Sequence, residues 1–141
     1  MSENQIKVLV KYPYKEAKVV TIENTLKTKQ EIVGGYIEIV SFPTVEGVDL
    51  VVNEEGKLDR LEGNFWLPHH QDCAVGPAII LAHDDEGDAI GLTDEQIKSV
   101  QNYIDTFKIE EGFCFYQNFH MLNACMKNLQ KDFDKKHEGE M

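Results

Sequence analysis

Apolar residues fall in short β-type runs through the first two-thirds of the chain and at helical intervals after that. Ile6-Lys7-Val8-Leu9-Val10 is one run and Lys18-Val19-Val20-Thr21-Ile22 a second. Tyr12-Pro13-Tyr14-Lys15 between them reads as a turn, because proline fixes φ and removes a donor. The spacing predicts a hairpin over 6–22. Asn24 or Thr25 is placed to cap a helix with Leu26, Gln30 and Val33 on one side and Ile32 nearby. Gly34-Gly35 stops that helix, since glycine takes the left-handed conformation its C-terminus favours. Tyr36 to Val40 alternates as a strand that Phe42-Pro43 ends, and Val48 to Val52 is a fourth strand before the turn Asn53-Glu54-Glu55-Gly56.

Residues 59–77 read as irregular, punctuated by Gly63, Pro68, Gly76 and Pro77. Ala78 to Ala82 is apolar without a break and short enough for a buried strand. A loop over His83 to Asp88 and a brief strand at Ala89 to Leu92 lead to Thr93-Asp94-Glu95-Gln96, a capping box with Gln96 at the third helical position. Ile97, Val100, Ile104 and Phe107 then give an amphipathic helix to about residue 107. Beyond Gly112, the residues Phe115, Phe119, Leu122, Met126, Leu129 and Phe133 predict a second, longer helical stripe. The expected architecture is α+β. A mixed or antiparallel sheet of about five strands carries helices on one face, with a long C-terminal amphipathic helix. Residues 1–110 form the domain, and 111–141 an extension packed on it or on a partner.

Charge changes the picture more than composition does. The chain has 25 acids and 14 bases, a net of −11. Six Lys and four Glu give residues 1–33 a net of +2; sixteen acids and four bases give 34–110 a net of −12; five acids and four Lys give 111–141 a net of −1. Arg60 is the only arginine. Binding nucleic acid needs clustered positive charge, so direct contact with nucleic acid is not expected. An acidic middle segment fits a basic partner surface. The candidate partner-binding residues are Glu54, Glu55, Asp84, Asp85, Glu86 and Asp88, with Phe65 and Trp66 as an aromatic anchor. No apolar run approaches the roughly 20 residues of a membrane span. The polar start Met1-Ser2-Glu3-Asn4-Gln5 does not resemble a secretory signal. Cys73, Cys114 and Cys125 form no C-x-x-C pair, and their odd number argues for a reducing cytoplasm.

Candidate chemistry is sparse. His69, His70, Asp72 and Cys73 cluster, and His83 with Asp84 to Glu86 follows a predicted strand. These residue types ligate zinc. A metal-dependent hydrolase using His69, His70, Asp72 and His83 is therefore one alternative, although no HExxH spacing exists. Asp84 to Asp88 lacks the order of a calcium loop. Ser41 and Ser99 lack the nucleophile-elbow context. A Cys73 thiolate would need a positive environment this segment does not supply. Gly34-Gly35 ends a helix and so is no phosphate cradle. Lys7, Lys11, Lys15 and Lys18 support a second alternative, a small-ligand or signalling-nucleotide binder. No catalytic residue and no cofactor are expected.

Glu31-Ile32-Val33-Gly34-Gly35-Tyr36-Ile37-Glu38-Ile39-Val40 resembles the signature of domain of unknown function 3846, a family of small phage and mobile-element proteins. Asn53-Glu54-Glu55-Gly56-Lys57 and Asp84 to Ile97 are similar to its later blocks, so the resemblance covers about residues 6–106. It implies an accessory role in a bacterial host cell and offers no established catalytic residues to carry over. The resulting expectation is a non-enzymatic acidic protein of the cytoplasm. It would bind and modulate a host protein, a defence or nucleic-acid-handling factor among the candidates, with a homodimer through the C-terminal helix as a further expectation.

Overall fold

The structure is a computed structural model that describes residues 4–70 and 72–111. The expected helical stripe over 113–136 lies outside those residues. Eight strands and two helices follow in the order β1 (Gln5–Lys11), β2 (Lys18–Glu23), α1 (Leu26–Val33), β3 (Ile37–Ser41), β4 (Val48–Asn53), β5 (Gly63–Leu67), β6 (Asp72–Val75), β7 (Ala78–His83), β8 (Ala89–Ile90) and α2 (Asp94–Phe107). The main sheet has the order β2-β1-β7-β4-β3, with β8 also on β7. Every pairing is antiparallel. The class is α+β, as the run of strands predicts.

The middle strands explain the apolar run at 78–82. Strand β7 pairs with β1, β4 and β8 and is covered on both faces, so alternation disappears from its sequence. Ile79 and Leu81 join Val8, Val10, Ile22, Val51 and Val33 of α1 in an aliphatic layer. Ala78, Ile80 and Ala82 face the other way, where Leu9 and Leu50 meet Phe42, Phe65, Trp66, Tyr103 and Phe107. Helix α2 supplies Ile97, Val100, Tyr103, Ile104 and Phe107 to this second layer. The Tyr103 ring lies 5.0 Å from Phe42 and 4.4 Å from Phe107, and its hydroxyl donates to the Trp66 carbonyl at 3.0 Å. Both helix starts are capped as their sequences require. Thr25 accepts from the Thr28 amide, and Thr93 and Gln96 form the full capping box. Gly34, at φ 84°, closes α1 in the left-handed region.

Two expectations are corrected. The helices do not share a face. Helix α1 joins β2 to β3, the two edges of the sheet, and crosses one face to do so. Helix α2 takes the opposite face with the β5–β6 hairpin. Strand order decides this, and strand order is not written in hydropathy. The second correction is the 59–77 segment, which contains that hairpin, with Trp66 opposite Cys73. Strand β5 is buried at every position, so it offers no polar alternation to read.

Candidate functional site

Antiparallel registers sort the charged residues to two ends of the main sheet. The start of β1, the end of β2, the start of β4 and the end of β7 lie together. Helix α2 begins there, since the Leu92 amide donates to the Lys7 carbonyl at 2.8 Å and Lys7 Nζ reaches Asp94 at 3.0 Å. The loop before β4 joins them through the His83 amide on the Gly47 carbonyl, 3.0 Å. Glu23, Glu46, Asp49, Asp84, Asp85, Glu86, Asp88, Asp94 and Glu95 therefore gather at this end.

Several of these carboxylates also have local work. Asp84 Oδ1 accepts from the Glu86 and Asp88 amides, both at 2.9 Å, and so shapes the turn after β7. Asp94 and Glu95 sit in the first turn of α2, where the helix dipole favours negative charge. Asp49 holds His83 Nδ1 at 2.8 Å. Asp85, Glu86 and Asp88 are exposed and form no ion pair among the described residues.

The sequence-derived partner set does not form one surface. Glu54 and Glu55 follow the end of β4 that lies beside Ala78, whereas Asp84 to Asp88 follow the other end of β7. Six residues of β7 separate the two groups by about 20 Å. Glu54 and Glu55 share their neighbourhood with Lys57 and Arg60, so charge is mixed there. Phe65 and Trp66 are core residues at 0 % and 4 % exposure and offer no anchor to a partner.

The metal candidates do not assemble either. Asp72 pairs with Lys57, His83 is drawn to Asp49, and His69 is exposed in a 3-10 turn. Of His70, which closes that turn, only the backbone is described. No group of three or more His, Cys, Asp or Glu is placed to hold a metal among the described residues. Cys73 is buried, and loss of solvent pushes its thiol up to about 12, the opposite of an activated nucleophile.

The other end of the sheet carries a feature that the sequence does not display. Lys11 closes β1 beneath the β1–β2 turn and is only 2 % exposed. It lines a cavity of about 330 Å³ between that turn and the end of α2. Its Nζ donates to the Tyr12 carbonyl at 2.8 Å. Desolvation first, and nearby Lys108 second, lower its pKa to about 8. The buried Asn64 amide donates to the Lys11 and Gly76 carbonyls at 2.7 and 2.8 Å, tying β5 to this corner. The four lysines that suggest a small-ligand or nucleotide binder are thus divided. Lys11 and Lys15 line the cavity, Lys7 pairs with Asp94 at the acidic end, and Lys18 is exposed on β2.

The glycine pair has a structural task. A Cβ on Gly35 would come within 3.0 Å of the Asn53 side chain. Asn53 Nδ2 donates to the Val33 carbonyl at 3.2 Å and its Oδ1 accepts from the Glu55 amide at 2.8 Å. The blocks 31–40 and 53–57 therefore meet in one joint between α1 and β4. A family model described as a domain of unknown function (DUF3846) matches residues 6–108. No curated protein and no solved structure matches the chain. Among the described residues no helix is long and apolar enough to cross a membrane.

Proposed function

This chain belongs to the DUF3846 family, and we propose that it is a non-enzymatic accessory protein of a phage or mobile element. It acts in the bacterial cytoplasm by binding a host protein through the acidic end of its sheet. The observation that supports this reading is the sorting of nine carboxylates to that end, with Asp85, Glu86 and Asp88 exposed and free of ion pairs among the described residues. Such a surface raises local cation concentration and speeds encounter with a basic partner more than it tightens the final complex.

The test is capture of host proteins by the full chain at low and moderate salt, compared with two neutralised variants. Asp85→Asn/Glu86→Gln/Asp88→Asn removes charge from the acidic end, and Glu54→Gln/Glu55→Gln removes it from the other. Capture is expected to fall severalfold with salt, since exposed charges are screened over about 10 Å at 0.1 M. It falls similarly with the first variant and holds with the second. Equal loss in both variants, or capture indifferent to salt, overturns the reading.

A further inference from the structure

A buried lysine is ordinarily paired, because an ammonium out of water needs an anion or a full set of acceptors. Lys11 has neither. It is 2 % exposed, its one hydrogen bond goes to the Tyr12 carbonyl, and it forms no ion pair with any described carboxylate. Two of its three N–H donors are left without a protein acceptor among the described residues. Beside it lies a cavity of about 330 Å³, the size of a small ligand site. We infer that this cavity binds a small anionic group, a carboxylate or a phosphate monoester, with Lys11 as its counter-charge.

The surrounding rim is mixed, with two lysines against three carboxylates. The β1–β2 turn contributes Tyr14, Lys15 and Glu16, and the end of α2 with its following residues contributes Asp105, Lys108 and Glu110. All five charged residues of this rim are exposed. Their opposing charges are screened by water and largely offset one another. Lys11 alone sits inside, where a charge acts through lower dielectric. Lys108 makes the Lys11 ammonium less favourable and Glu110 makes it more so, the Lys108 effect being the larger, so burial and Lys108 prevail in the empty cavity. An anion on Nζ reverses that balance by stabilising the protonated form. Binding is therefore strongest below the free-state pKa of about 8 and weakens as pH rises through and above it.

Nuclear magnetic resonance on the full, isotope-labelled chain tests this directly. Lys11 Cε–Hε resonances are followed during separate titrations with acetate and with inorganic phosphate at pH 7 and pH 9.5. At pH 7 a saturable shift at Lys11 is expected, with at least tenfold weaker binding at pH 9.5. The arm that saturates at lower concentration identifies the carboxylate or the phosphate source. Exposed Lys18 and Lys27 serve as internal controls and shift only linearly. A Lys11→Met variant, checked for folding by its amide spectrum, loses the saturable response at its neighbours. If Lys11 follows Lys18 and Lys27 in both titrations, the inference is wrong.

Discussion

The two ends of the sheet handle charge in opposite ways. At one end nine carboxylates gather, most of them exposed, and those with partners use turn amides, a helix start or a neighbouring side chain. At the other end a single ammonium is enclosed, held by one backbone carbonyl beside a cavity. Solvated charge is cheap and adjustable, so the carboxylates of the acidic end can change with little effect on folding. Enclosed charge is coupled to the fold and to whatever enters the cavity. The contrast teaches that net charge, −11 for the chain, says little about how its charged groups are placed relative to solvent.

The contrast is broken most severely at Asn64. This side chain is fully buried and satisfies two carbonyls, those of Lys11 and Gly76. Asn64→Ala leaves both buried carbonyls without that donor and opens a small void. A loss of about 2–4 kcal/mol is expected, measured as a lower denaturant midpoint. A loss below about 0.5 kcal/mol would show that the corner is wetter than its burial indicates.

Lys11 sharpens the contrast at intermediate magnitude. Its folded pKa lies below its ordinary value of 10.5, at about 8. Below pH 8 both states carry the proton, and the folded state bears the full penalty of the enclosed charge. Between about pH 8 and 10.5 the unfolded chain binds more protons than the folded one, so stability rises with pH in that window. Lys11→Met removes the titration. At pH 7 it is expected to raise the melting temperature by a few degrees, because an apolar side chain of similar length replaces a buried charge. The gain shrinks toward pH 10.5, where the wild-type amine is neutral. A saturating anion also shrinks it, by stabilising the wild type alone. A pH-independent difference between the two proteins would contradict this account.

How much of this was legible depends on how local each feature is. The capping box at Thr93 and Gln96, the left-handed stop at Gly34 and the 6–22 hairpin are set by neighbours in sequence, and they fold as read. The β5–β6 hairpin was not legible, because β5 is buried on both sides and its flanking Gly and Pro residues imitate a loop. The acidic residues were legible as a set but not as a surface, since only the β4–β7 register shows that Glu54 and Asp85 belong to opposite ends. The sequence offers Lys11 only as one of four lysines that suit a small-ligand or nucleotide binder. Its burial depends on the turn above it, on Asn64 at a separation of 53 residues, and on the far end of α2. A charged residue closing an otherwise apolar strand, Val8-Leu9-Val10-Lys11, was the one signal available.

The smallest expected effect is at the acidic end, and its smallness is what makes it informative. Asp85, Glu86 and Asp88 contribute no side-chain hydrogen bond and no ion pair among the described residues, while the turn they occupy is shaped by Asp84. Neutralising all three as Asp85→Asn/Glu86→Gln/Asp88→Asn should change stability by less than about 0.5 kcal/mol, as surface substitutions usually do. The sign should be favourable at low salt, because like charges crowded on one loop repel, and the gain should fade as salt is added. Asp84→Ala is the internal control. It removes the acceptor of two turn amides and should cost more than the triple change, although it removes only one charge. If the triple variant instead loses stability comparable to Asp84→Ala, those side chains are structural. The acidic end would then be coupled to the fold much as the lysine end is.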